Sequence, residues 1–233
     1  MTRTYSPLVN ENVRSLLETL SDRSTGPDAY KEAMTCLGMS LGECILPKIT
    51  SQQSSVYLAC TVEDADFLAK GILERLEAQL KTIAFACFWN QRFSPFEVED
   101  LKVAPILRKY QEPSCQTVNY LIVVKSIISG ACVVRTNLTD LIQRIEPEKI
   151  LIAAPVLYEG AEDRLKEQFE PEIHSKFQFF YFATDDKRTP DGEVVPGIGG
   201  VVYDRLGFQG QEEKNRYTPD IVRSRRSRFS ASV

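Results

Sequence analysis

The chain has 233 residues, 43% hydrophobic and 26% charged, an ordinary balance for a globular protein with room to bury a core. Its 28 Lys and Arg against 32 Asp and Glu leave a net charge of -4, which argues against a general polyanion binder. No apolar run approaches the ~20 residues of a membrane span, and the opening MTRTYSPLVNENVRSLL lacks the apolar core of a secretory signal, so a cytoplasmic protein without membrane contact is expected.

Residues 9–21 and 28–46 read as amphipathic helices; in the second, Tyr30, Ala33, Met34, Leu37, Leu41 and Ile45 fall near helical spacing and Pro47 ends it. A buried strand is expected over 55–60, followed by a helix over 63–80 whose apolar face carries Phe67, Leu68, Ile72, Leu76 and Leu80. The next strand is 82–89, and 103–110 is an extended piece. Strands at 119–124, 149–155 and 177–183 alternate with helices at 132–145 and 159–169. That alternation implies right-handed crossovers and a largely parallel α/β sheet flanked by helices. The strands lack period-two alternation, as strands covered on both faces do. Ligands would then gather at the carboxyl ends of the strands, after Cys60, Trp89, Val124 and Pro155. Residues 1–209 are expected to form one domain, with 1–50 as its helical start, and 210–233 a polar, basic tail. The tail cluster Arg223, Arg225, Arg226, Arg228 and Phe229 suits an RNA or acidic partner, or a disordered solubilising segment.

Six cysteines without a C-x-x-C pair read as free thiols. The single histidine, His174, lies in a polar segment, and its isolation speaks against a Ser-His or Cys-His pair. Two loops are left to carry chemistry. After the strand ending at Val124, Ser126 and Ser129 offer hydroxyls, and Ser129, Gly130 and Ala131 offer backbone N–H groups at a helix start; this suits a phosphate but also an ordinary turn. The second is Val195-Pro196-Gly197-Ile198-Gly199-Gly200-Val201, whose exposed backbone groups could read the edge of a flat heterocycle or close a hairpin. Arg92, in the loop after Trp89, is a candidate ligand clamp.

The stretch "VVPGIGGVVYDRLG" resembles the uracil-binding loop of uracil phosphoribosyltransferases, V-P-G-L-G-D-A-G-D-R-x-F-G. "YLIVVKSIISGA" is placed like the family's ribose-phosphate loop, "KILIAAPVLYEGAEDRL" like the strand and helix after it, and "FYFATDDKRTPDGEVVPG" like the strand leading to the base loop. The resemblance covers most of residues 28–207 in order. It implies a phosphoribosyltransferase-like fold and transfer of phosphoribosyl from phosphoribosyl pyrophosphate (PRPP) to uracil or a related base, with Mg2+, in a homo-oligomer. Carried over, Ser129, Gly130 and Ala131 would hold the phosphate, with the Ser126 hydroxyl a candidate beside them, and Val195, Gly197, Gly200 and Val201 would face the pyrimidine base or nucleotide.

The departures are as informative. Val124 and Lys125 stand where the family's ribose-gripping acids belong, and neither accepts hydrogen bonds from a diol. Thr61-Val62-Glu63-Asp64 replaces a pyrophosphate loop that carries arginine; its two acids are expected as first-turn helix residues, and Lys125 as an exposed strand-end lysine. The family's base-loop Asp is Gly200. A non-catalytic descendant, acting as a nucleotide-sensing regulator or interaction scaffold, is the alternative to an enzyme. The string PILRK at 105–109 mimics the missing loop but sits in the wrong place for it.

Overall fold

The computed structural model describes residues 3–93 and 103–230. A short strand, β1 (Arg3–Tyr5), precedes helices α1 (Glu11–Ser21) and α2 (Pro27–Ile45). Strand β2 (Val56–Thr61) runs into a tight turn at Val62–Asp64, a wide helical turn at Ala65–Ala69 and helix α3 (Lys70–Glu77). Then come β3 (Ile83–Asn90), β4 (Ile106–Gln111), β5 (Thr117–Val124), the two-residue β6 (Ile127–Ile128) and helix α4 (Cys132–Ile142). Strand β7 (Glu146–Tyr158) leads through α5 (Ala161–Lys166) and α6 (Pro171–His174) to β8 (Phe177–Asp185). A small hairpin, β9 (Lys187–Arg188) and β10 (Val194–Val195), precedes α7 (Val202–Arg205), α8 (Gly210–Arg216) and α9 (Asp220–Ser230).

The sheet order is β1-β8-β7-β5-β2-β3-β4, with β6 added beside β7. The neighbours β3, β2, β5, β7 and β8 are all parallel, and β4 and β1 close the two edges antiparallel. The five apolar runs of the sequence are thus the five interior strands, and every residue of β2 is buried. Strand β7 runs past Pro155 to Tyr158; its pairing with β8 steps from Ala154↔Tyr181 to Val156↔Ala183, because proline has no N–H for the ladder. The loop at that end therefore starts later than the sequence suggests.

Helices cover both faces. Val13, Leu17 and Leu20 of α1, the apolar stripe of α2 and Ile72, Leu73 and Leu76 of α3 pack on one face. Leu138 and Leu141 of α4 and Leu165 of α5 pack on the other. Helices α2 and α3 meet at Gly38 and Gly71, where an added Cβ on either would lie 2.2 Å from a backbone carbonyl oxygen of the other helical segment. Among the described residues no helix is long and apolar enough to cross a membrane.

Residues 210–230, expected as a polar tail, instead form two helices docked on the domain. Composition misled because their anchors are charged. Arg225 is 6% exposed and donates to Glu112 Oε2 at 2.9 Å, and its other nitrogen reaches Glu77. Asp66 accepts from the backbone N–H groups of Asp220 and Ile221, both at 2.9 Å, and so caps α9. Val222 is fully buried, and Trp89 Nε1 donates to the Tyr217 carbonyl at 2.8 Å. Arg225 is therefore internal and cannot serve the RNA contact expected of the cluster. None of the six cysteines forms a disulfide; Cys60 and Cys87 are buried and Cys115 is exposed.

Candidate functional site

At the carboxyl ends of β2, β3 and β5 lies a cleft of about 470 Å3. Four separate segments line it: Glu63 after β2; Asn90 at the end of β3 with Arg92 and Phe93 beyond it; Ser129 and Gly130 before α4; and Gly200 and Val201 at the end of the glycine-rich loop with Tyr203 of α7. Arg188 and Asp191 of the β9–β10 hairpin and Lys214 of α8 complete it. A second groove, of about 460 Å3 between α3 and α9, contains none of the candidate phosphate, base or clamp residues, although Arg225 of the basic cluster lines it.

Of the expected phosphate residues, Ser129 and Gly130 face the cleft. Gly130 is exposed, and a Cβ there would meet nothing within 4 Å, so the bare backbone leaves room for a ligand. Ala131 sits behind them as the residue before α4, a helix start that no side chain caps. Ser126 is elsewhere: it is fully buried, its N–H donates to Asp64 Oδ1 at 3.1 Å, and its hydroxyl accepts from Lys125 Nζ at 3.2 Å. The strand-end turn folds it inward, so Ser126 is packed against Asp64 and Lys125 and does not line the cleft.

The base loop splits in the same way. Gly200 and Val201 line the cleft, but Val195 pairs with Lys187 in the hairpin and Gly197 is buried. The Gly197 N–H donates to Asp185 Oδ2 at 2.8 Å and its carbonyl accepts from Arg3. Gly199, at φ +74°, lets the loop approach α1 so closely that a Cβ would lie 2.2 Å from the Leu20 carbonyl oxygen. Tyr30 holds the Ile198 carbonyl with a 3.0 Å hydrogen bond. Half of the glycine-rich loop is therefore devoted to packing on the N-terminal helices.

Beneath the cleft is a charge cluster that was not anticipated. Lys125 is 4% exposed, not a strand-end surface lysine, and its Nζ lies 2.7 Å from Asp64 Oδ2 and 3.3 Å from Glu63 Oε1. Asp64, 1% exposed, also accepts from the Thr61 hydroxyl at 2.6 Å. The two acids do stand in the first turn after β2, as expected, but there they also serve as counter-ions of Lys125, Asp64 buried and Glu63 half-buried. Burial opposes ionisation of Glu63, but Lys125 and Lys214 outweigh it and hold the carboxyl at about 2. Burial likewise pulls Lys125 down, and Asp64 and Glu63 reverse it to a net rise. For Lys214 burial wins and its ammonium is weakened, although Glu63 opposes the shift. Lys214 Nζ donates to the Asn90 carbonyl at 2.8 Å and lies 4.0 Å from Glu63 Oε2. Asn90 is held in place by a reciprocal amide pair with Asn137, at 2.8 and 3.0 Å.

These carboxylates do not fit a protein-bound magnesium. Both oxygens of Asp64 are taken by Thr61, Lys125 and Ser126, and Glu193 pairs with Arg23 at 2.6 Å. Among the described residues no group of three His, Cys, Asp or Glu converges on a metal-sized space. Glu63 and Asp64 face three cations, Lys125, Lys214 and Arg92, so the inner cleft favours an anion.

Arg92 lines the mouth, tied through its N–H to Gln211 Oε1 at 3.1 Å. PILRK lies on edge strand β4, where Arg108 stacks 4.1 Å from the Trp89 ring centroid and Lys109 pairs with Asp140; it has no part in the cleft. Arg188 and Lys214 escaped notice in the sequence, one beside a turn and one in the presumed tail.

The chain is similar in structure to the AQ2163 protein from Aquifex aeolicus, at a TM-score of 0.66 and 15% identity over 85% of this chain and 95% of that one. At this identity the likeness shows the fold alone. Looser overlaps, too distant to bear on function, include the TT1426 protein from Thermus thermophilus (TM-score 0.44, 12% identity, 78% of this chain and 94% of that one). A hypoxanthine phosphoribosyltransferase from Staphylococcus aureus is another (TM-score 0.37, 13% identity, 55% and 65%). No protein-family model matches the chain. No curated protein matches it in sequence.

Proposed function

We propose that the protein is a phosphoribosyltransferase-fold protein whose cleft binds a phosphorylated ribose compound, PRPP or a pyrimidine nucleotide. The observation that carries this reading is convergence. The candidate phosphate turn (Ser129, Gly130), the candidate base residues (Gly200, Val201) and the candidate clamp (Arg92) lie far apart in sequence, yet they line one cleft at the carboxyl ends of parallel strands. The surplus of cations over acids supports an anionic ligand.

Two activities are open to such a site. Transfer of phosphoribosyl to uracil is the one implied by the loop resemblance. Binding without transfer, as a nucleotide-responsive regulator, is favoured by Lys125: it buries its ammonium on Asp64 and Glu63, so no carboxylate of the phosphate turn or of the loop after β2 is left to grip a ribose diol. Magnesium enters only as a counter-ion carried by the ligand's own phosphates.

The test is a thermal-shift titration of the full chain with UMP, and with PRPP plus magnesium, alongside an assay for pyrophosphate release with a panel of bases. A ligand at a hundred times its Kd adds ~2.7 kcal/mol of stability, a rise of roughly 5–11 °C for a chain of this size. The expected result is a shift without turnover. Turnover with any base overturns the regulator reading, and the absence of any shift overturns nucleotide binding.

A further inference from the structure

The hairpin β9–β10 carries a cation that neither the glycine-rich loop nor the phosphate turn explains. Arg188 lines the cleft, and its NH2 donates to the backbone carbonyl of Ser129, on the phosphate turn itself. Its guanidinium stacks 3.8 Å from the centroid of the Tyr158 ring, at the carboxyl end of β7, and Arg164 lies over the same ring at 5.1 Å. Among the described residues Arg188 makes no ion pair within 4.0 Å, although Asp191 lies on the same hairpin and also lines the cleft. Other surface arginines vary: Arg75, Arg216 and Arg223 each pair with a carboxylate, whereas Arg14 lies over the Tyr5 ring and Arg135 donates to Gln168; of these, Arg188 is the one that reaches the phosphate turn.

Such an arrangement leaves an exposed guanidinium open to an anion. Two guanidinia share one ring, and among the described residues no carboxylate lies within ion-pairing distance of Arg188, so an arriving anion would meet positive charge from both. A guanidinium has five N–H donors in a rigid fork, and the bond to Ser129 uses one side of it. The Tyr158 stack fixes the plane of the fork, so that little side-chain freedom is lost when a tetrahedral anion arrives.

We propose that Arg188 is the phosphate-selecting residue of the cleft: its fork, held flat on Tyr158 and reaching the Ser129 turn, takes a phosphate monoester on the open side of that turn. The assignment rests on the nucleotide-binding reading above and adds the residue that separates a nucleotide from its nucleoside. Since a planar fork matches two phosphate oxygens and an ammonium does not, lysine at this position is only a partial substitute.

The experiment measures calorimetric Kd values for UMP and for uridine with wild-type protein, Arg188→Met and Arg188→Lys, with unfolding midpoints as a control for folding. Wild-type protein is expected to prefer UMP. Loss of charge-assisted bonds in Arg188→Met should weaken UMP roughly tenfold or more, leave uridine unchanged and place Arg188→Lys in between. An unchanged UMP affinity in Arg188→Met, or an equal loss for both ligands, overturns the assignment while leaving nucleotide binding in place. Wild-type protein that binds neither ligand overturns the nucleotide reading, and the assignment with it.

Discussion

Replacing Lys125 by Met removes a cation that lies 2.7 Å from Asp64, 3.3 Å from Glu63 and 3.2 Å from the Ser126 hydroxyl. The methionine fills the volume, but two carboxylates that are 1% and 11% exposed lose their main counter-charge. Lys214, 4.0 Å from Glu63, is the nearest remaining ammonium. Breaking a buried pair by removing one partner costs ~3–5 kcal/mol, a large part of the 5–15 kcal/mol typical of a folded domain. Urea unfolding at pH 7 should show that deficit as a midpoint lowered by roughly 1–3 M. The deficit should shrink at pH 4, because stranded carboxylates relieve their burial by taking up protons. The double variant Lys125→Met, Asp64→Asn should cost less than the sum of its parts by ~0.5–3 kcal/mol, as residues in one network do. A deficit under ~1 kcal/mol at pH 7, or one that grows on acidification, would show that Lys125 is not the counter-ion of a buried network.

The depressed Glu63 carboxyl sets a pH window. Its contribution is present above the ordinary 4.5 and lost as pH falls toward about 2, so wild-type protein should lose stability there, and Glu63→Gln should lose less across the same interval in acid-titrated urea melts. Gly199→Ala combines a φ of +74° with a Cβ 2.2 Å from the Leu20 carbonyl oxygen, and should destabilise by at least ~2 kcal/mol by thermal unfolding. Gly130→Ala meets nothing within 4 Å and should fall within ~0.5 kcal/mol of wild type. Arg225→Ala strands Glu112 and should release α9, seen as new protease cleavage after residue 216, whereas Arg223→Ala, whose partner Asp220 is exposed, should leave the pattern unchanged.

The interior of the sheet was legible in the sequence because five apolar runs, separated by helix-period segments, admit few arrangements other than a parallel sheet covered on both faces. The loops that meet at its carboxyl end were legible for the same reason: strand order and crossover handedness bring the turns after β2, β3 and β5 together. Edge strand β1 was not. Three residues carry no periodicity, and its place depends on the fork from Arg3 to Asp185, 182 positions away.

Small residues at a strand-to-helix turn singled out Ser129 and Gly130, and the loop resemblance singled out Gly200 and Val201; all four line the cleft. Which of their neighbours turn inward was decided by tertiary packing. Ser126 and Gly197 have the same local chemistry as Ser129 and Gly200, but Asp64 and Asp185 claim their N–H groups. Charge was the least legible property. Lys125, Lys214 and Arg225 all looked solvent-facing, because a sequence shows a charge but not its counter-ion. Only the folded chain brings Asp64, Glu63 and Glu112 close enough to offset the cost of burying them.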